Sequence, residues 1–370
     1  MHKDFHLYGT YLAARLAGFD KNAAGKIACA AQAVDDFTYG EYGSCQTDKN
    51  MAATIRQEAK DILQTLWTTF HFLPADIDND ALNTTPKLKY RTAPRGILYD
   101  NLSRWLHETF QSAVSPENNL ARAGVTMHVL ADTYAHEGFS GVIDNENTVK
   151  NVKTDLGGGK VIDLGVIFGS FHLPTWIGKI IDAANIGHGT AGHFPDISWI
   201  TYQYERDAGH GIVVRNNPEI FSEAFVKMAE ILNAAGSIQN NVGNISNNRE
   251  TWKQSVLSQI QAEKVKKIQE YDESWFIKSD IVWEEKDTIF KNLMEIDHFG
   301  LENDYKPRDL DNDYKKYLGD INAAAQNAEM VGNAITIPQA GCFFDATLWH
   351  RENVLLKTIW EFRPDFPQKL

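Results

Sequence analysis

Three residues spaced four apart, His128, Asp132 and His136 in the run HVLADTYAH, constrain this chain more than anything else in it. On an α-helix, residues four apart are offset by only about 40°, so imidazole, carboxylate and imidazole leave from one face. Val125, Leu130 and Ala131 make the surroundings apolar, so this polar face is expected to serve something other than solvent. Imidazole nitrogen and carboxylate oxygen are the donors a zinc ion takes, and a carboxylate between two imidazoles can bridge two ions. The competing reading is a solvated polar helix face.

Histidine is unevenly spread: nine of the twelve lie before residue 200, most of them close to an Asp. The run GHGTAGHFPD offers His188, His193 and Asp196 at a junction between loop and helix, where glycine lets the backbone approach a ligand. Spacing does not decide which of the three coordinate. Weaker taken singly are Asp35 and Asp36 at the end of an Ala-rich helix, His71 in FHFLP, and Asp4 with His6 near the start. A lone histidine is more often a satisfied core residue, so these gain weight only from their company. Cys29, Cys45 and Cys342 contain no CxxC pair, which leaves nitrogen and oxygen as the ligands.

Helical periodicity dominates the chain. Residues 8–34 predict two small, closely packed helices separated near Gly18, with Asp20 capping the second. Further helices are expected over 50–70, over 100–137, and from Pro195 through ISWITYQYE. Residues 145–186, Gly-rich and then apolar, read as a long insertion or lid. From residue 216 the chain is amphipathic and poor in histidine, and its apolar, aromatic last 50 residues are expected to dock on the body. The expected organisation is all-α: a metal-binding catalytic core over 1–215 containing the insertion, and a helical extension over 216–370 packed on it.

A net charge of −13 argues against non-specific binding of duplex nucleic acid, which depends on Lys and Arg neutralising phosphates. It does not argue against phosphodiester chemistry, because bound cations reverse the field inside a site. Without a basic segment followed by an apolar run, or about 18 consecutive apolar residues, the expectation is a cytoplasmic protein, or one exported without a cleaved signal. Oligomeric state is not legible.

The order of these motifs resembles the zinc-dependent phospholipase C and single-strand nuclease superfamily of all-helical enzymes. It is most similar to a bacterial branch with DFH, QxVDD, HFLP, HxxxDxxxH and a GH loop before PD, here Asp4–His6, Gln32–Asp36, His71–Pro74, His128–His136 and Gly187–Asp196. The similarity covers about the first 205 residues. It implies two or three zinc ions: one on Asp35 or Asp36, His71, His128 and Asp132; a second on His136 with His188, His193 or Asp196; a third on Asp132 with His6 and Asp4. In the secreted members the N-terminal amine is itself a ligand, whereas this chain opens on Met1, and their last ligand pair, HxxxE, is here HxxD or a more distant pair.

The implied activity is phosphoester hydrolysis of the phospholipase C kind by metal-activated water, with Asp35 or Asp36 orienting that water. The Trp-containing segment 161–181 is a candidate for peripheral membrane contact, or else covers the core. Single-strand nuclease or nucleotidase action is the alternative within the same fold. A non-enzymatic, toxin-like metal-binding interaction protein is the alternative outside it.

Overall fold

The computed structural model describes residues 1–37, 57–75, 77, 90–156, 161–163, 186–206, 211–236, 245–270, 287–301, 305–331, 338–362 and 366. Cys45, residues 157–160 and residues 164–185 lie outside them, and with these most of the expected insertion and all but the first three residues of its candidate membrane segment.

The chain starts with a π-helical turn, Asp4–Gly9, that runs into α1 (Thr10–Ala17) and, after Gly18, α2 (Lys21–Asp36). Asp20 caps α2 as its sequence predicts, its carboxylate accepting from the amides of Asn22 and Ala23. The region 57–135 gives α3 (Gln57–Phe70), α4 (Ile97–Gln111) and α5 (Pro116–Ala135), the last carrying the HxxxDxxxH face. α5 starts on a Ser115 cap with Pro116 in its first turn.

The Ala-rich α2 exists to lie very close to α5. A Cβ on Gly124 would sit 2.4 Å from the Ile27 carbonyl oxygen and 2.6 Å from the Ala30 Cβ. Gly124 stands one turn before His128, so this contact draws the C-terminal end of α2, with Asp35, against the polar face of α5. Gly124→Ala is expected to cost about 1–3 kcal/mol through overpacking. Thermal melting of the variant measures it; an unchanged melt would mean that the helices separate freely.

The expectation of an all-α chain needs correction. Four antiparallel strands form one small sheet in the order β2–β1–β3–β4: β1 (Val149–Asp155), β2 (Val161–Asp163), β3 (Thr201–Arg206) and β4 (Ile212–Asn216). The helix expected from Pro195 is a single 3-10 turn, Phe194–Asp196, followed by β3. The reason lies in the residues: TYQYER buries every second side chain, Tyr202, Tyr204 and Arg206, which is the period of a strand. β1 pairs along β3, so the start of the expected insertion is built into the core rather than set apart from it.

The remaining helices are α6 (Asn217–Gly236), α7 (Ile245–Glu270), α8 (Ile289–Glu295), α9 (Pro307–Val331) and α10 (Pro338–Arg351), followed by a π-helical stretch, Glu352–Ile359, and a last turn, Trp360–Phe362. α10 packs along α5, and α6 packs on α1, α4 and α5. Buried apolar side chains of both halves join in one core, with Phe366 against Tyr90 near the end of the chain. The architecture is therefore mainly helical. Among the described residues, no helix is long and apolar enough to cross a membrane.

Candidate metal centre

Four structural elements converge on the His128–His136 face. The end of α2 brings Asp35, and the end of α3 brings His71. The N-terminal turn brings His6, and the loop before β3 brings His188 and Asp196. His6, His128, Asp132, His136 and Asp196 are all buried. Asp35 keeps 29% of its side chain exposed, which makes it the open edge of the cluster.

Asp132 is the centre. Its Oδ1 lies 2.8 Å from the Met1 amine and 3.2 Å from His6 Nε2, while its Oδ2 lies 3.1 Å from His71 Nδ1 and 3.2 Å from His128 Nε2. The two imidazole nitrogens are themselves 3.2 Å apart. The edges of this triangle, His71, His128 and Asp132, match the roughly 3.3 Å that separates ligands around a tetrahedral ion with bonds near 2.0–2.1 Å. Asp35 Oδ1 stands 3.8 and 3.7 Å from the same two nitrogens.

A second group surrounds Asp196. Its Oδ1 is 3.0 Å from His136 Nε2, and its Oδ2 is 3.4 Å from His188 Nε2. The other nitrogen of each ring is held by backbone: His136 Nδ1 meets the His71 carbonyl at 2.8 Å, and His188 Nδ1 meets that of Gly192 at 2.9 Å. A carbonyl can only accept, so each Nδ1 donates to backbone and each Nε2 is the ring atom presented to Asp196, the orientation typical of a metal-ligating histidine.

The loop is fixed by chemistry of its own. Gly187 has φ +60°, and a Cβ there would meet the Phe72 ring at 2.5 Å, so only glycine seats His188 on Phe72. The Asn217 amide donates to the carbonyls of Phe194 and Ile197 on either side of Asp196. The sheet, for its part, anchors the end of α5. Arg215 donates to the Tyr134 and Ala135 carbonyls and pairs with Glu137, while Arg206 donates to the Gly138 carbonyl. Cations here complement the C-terminal end of the helix dipole and hold His136 in place.

The electrostatics leave the donors ready to ligate. Burial alone would raise the Asp132 carboxyl, yet the Met1 amine and the His136, His128 and His6 rings hold it well below the usual range. Asp196 is likewise low despite burial, because of the Met1 amine and the rings of His188 and His136. Burial pushes His128 and His188 down to about 4, and His6 well below its ordinary value, so these three imidazoles are neutral at pH 7. Burial would also lower the Met1 amine, but Asp132 and Asp196 raise it to about 11. Ionised carboxylates and neutral imidazoles are the states a metal requires.

Two of the expected ligands stand elsewhere, and a third joins a different group. Asp4 caps α8, accepting from the amides of Phe290 and Lys291 at 2.8 and 2.9 Å. Asp36, one residue and about 100° around the helix from Asp35, accepts from the Tyr314 hydroxyl of α9 and from Gln32. His193 faces His2 rather than His136. Met1 and His2 are the members that sequence reasoning missed, although MHKDFH places His2 and His6 four apart, the same signal as in α5.

His350 of α10 is a further buried imidazole, its Nε2 3.1 Å from the Thr69 carbonyl, and burial pushes it down to about 4. His128, His188 and His350 therefore stay neutral in the folded protein at pH values where the unfolded chain binds protons. Stability of the metal-free protein should be complete above the ordinary pKa of 6.5 and fall as pH drops from there to about 4. The slope is roughly 1.4 kcal/mol per pH unit for each imidazole, and His350→Gln should remove one share. Urea titrations in chelator across this window measure it; a flat profile would sink the assignment of neutral rings.

Among the described residues, four His/Asp groups could hold a metal ion: His71–His128–Asp132, His6–Asp35–His128, His136–His188–Asp196 and His2–His193–Asp196. Fold and site thus define a mainly helical protein with a buried, multi-histidine candidate metal centre. The chain belongs to a family of unknown function, DUF6765, whose profile matches residues 1–358. No curated protein and no solved structure matches it.

Proposed function

We propose that this protein is a zinc-dependent phosphoester hydrolase of the phospholipase C and single-strand nuclease type, acting on phospholipid or small phosphoester substrates. One observation carries the reading: donors from separate helix ends and loops meet in a single cluster with His128 and Asp196 shared between groups. The order of those donors along the chain is the order the resemblance implies.

Asp35, His71, His128 and Asp132 would hold a first ion, and His136, His188 and Asp196 a second. Asp132 and His6, beside the Met1 amine, would hold a third. Such ions acidify water and neutralise charge on phosphoryl oxygens. The protein orients the rings through the carbonyls of His71 and Gly192, and Asp132 keeps its charge among neutral imidazoles. Asp35, at the open edge, is the carboxylate placed to align a water and take its proton. The acidic net charge of −13 favours small or lipid substrates over long polyanions.

The test is turnover of bis-p-nitrophenyl phosphate, short-chain phosphatidylcholine and a single-stranded oligonucleotide by zinc-loaded protein. Hydrolysis abolished by chelator, fastest on the lipid, and reduced at least about 100-fold in Asp35→Asn is the expected result. Preference for the oligonucleotide selects nuclease action instead. A fully loaded protein that turns over none of the three is a metal-binding protein without this activity.

A further inference from the structure

Next to the centre lies a group that the three-ion arrangement leaves unused. His2 is 5% exposed, and neither of its ring nitrogens has a hydrogen-bond partner among the described residues. A buried imidazole that makes no hydrogen bond at either nitrogen, with only a longer approach to a carboxylate, is a state protein interiors rarely tolerate. Its ring centroid is 6.1 Å from that of His193, and one donor atom each of His2, His193 and Asp196 lie within 4.8 Å of one another.

We propose that His2, His193 and Asp196 form a cation site of their own, for a zinc-like divalent ion, beside the site on His136 and His188. The inference rests on the reading of the larger cluster as a metal centre, and it adds a site that reading does not need. Two imidazole nitrogens and one carboxylate oxygen make the donor set of an open zinc site, with a fourth position left for water or substrate. Asp196 can serve two ions, since a carboxylate has about four lone-pair directions and its two oxygens face different neighbours.

The surroundings of His2 fit this role. Its Nδ1 lies 3.5 Å from Asp287 Oδ2, and Asp287 is itself buried and fixed by the Ser198 hydroxyl at 2.9 Å and the Ser198 amide at 3.3 Å. A carboxylate behind a histidine orients the ring and raises its basicity toward a metal on the far side. With Nδ1 turned to Asp287, Nε2 is the donor for the ion. Asp287 is reached from the segment before α8, and Ser198 follows directly on the Asp196 turn, so one small network positions both ends of the site.

The experiment uses full-length protein purified without a polyhistidine tag and loaded with zinc chloride alone. In crystals, anomalous scattering at the zinc edge should show a peak between His2, His193 and Asp196, distinct from those at His136–His188 and around Asp132. In solution, His193→Ala should lose about one zinc per chain while the far-UV circular dichroism stays that of the parent protein. Peaks at the other positions with none at His2–His193 overturn this site and leave the larger centre intact. Retention of every zinc by His193→Ala overturns it too. No zinc anywhere in the cluster overturns both readings.

Discussion

Under the proposed function, Asp132→Asn is expected to lose at least two of the ions the cluster would bind and to abolish phosphoester turnover, while leaving the helical content in place. Asp132 is 1% exposed and divides its two oxygens between two sides of the cluster: Oδ1 toward the Met1 amine and His6, Oδ2 toward His71 and His128. An amide at this position keeps the shape but loses the charge and one acceptor, so both sides fail together. Loss of an outer-shell partner already costs about 10- to 100-fold in metal affinity, and a bridging carboxylate should cost more. Elemental mass spectrometry beside far-UV circular dichroism reads the result. Asp196→Asn is the informative partner, because it should remove the ion held by His136 and His188, together with the one proposed on His2 and His193, and spare the one on His71 and His128. Asp4→Asn and Asp36→Asn should lower stability through the α8 cap and the Tyr314 contact, with metal content unchanged. Full zinc in Asp132→Asn would show that the carboxylate is only an ion-pair partner.

What the sequence revealed of this centre follows from how far its signals reach. His128, Asp132 and His136 were legible because helical spacing alone puts them on one face, and α5 does so. Asp20 and the small residues of α2 were legible for the same local reason. The choice between Asp35 and Asp36 was not, since it depends on which flank of α2 meets Tyr314, a residue 278 positions away. Asp4 beside His6 reads as a ligand in any local view; its carboxylate is instead taken by the amides of Phe290 and Lys291, 286 and 287 positions away. The strand at Thr201–Arg206 was hidden by Pro195 and Asp196, which look like the first turn of a helix, although the aromatic and β-branched alternation after them carried the strand period. His2 was overlooked for want of comparing it with His6.

On the proposed metal centre, chelating zinc from loaded protein should lower the melting temperature substantially and reversibly. With His6, His128 and His188 neutral, the carboxylates of Asp35, Asp132 and Asp196 gather around the Met1 amine, which offsets only one of these charges. His71 Nδ1 and His128 Nε2, 3.2 Å apart, can share at most one proton between two lone pairs, and neither nitrogen of His6 has a hydrogen-bond partner among the described residues. Each ion present at about 100 times its dissociation constant adds about 2.7 kcal/mol to the folded state. With an unfolding entropy of roughly 2.1 cal/mol/K per residue, a chain of 370 residues shifts by about 3–4 °C per ion, or about 10 °C for three. Scanning calorimetry before and after chelation, then after zinc is restored, measures the shift. Calcium and magnesium should not restore it, because both prefer all-oxygen ligands and this cluster is rich in imidazole. An unchanged melt would mean that amine, carboxylates and imidazoles already satisfy one another, making the cluster a finished polar core with no need of a cation.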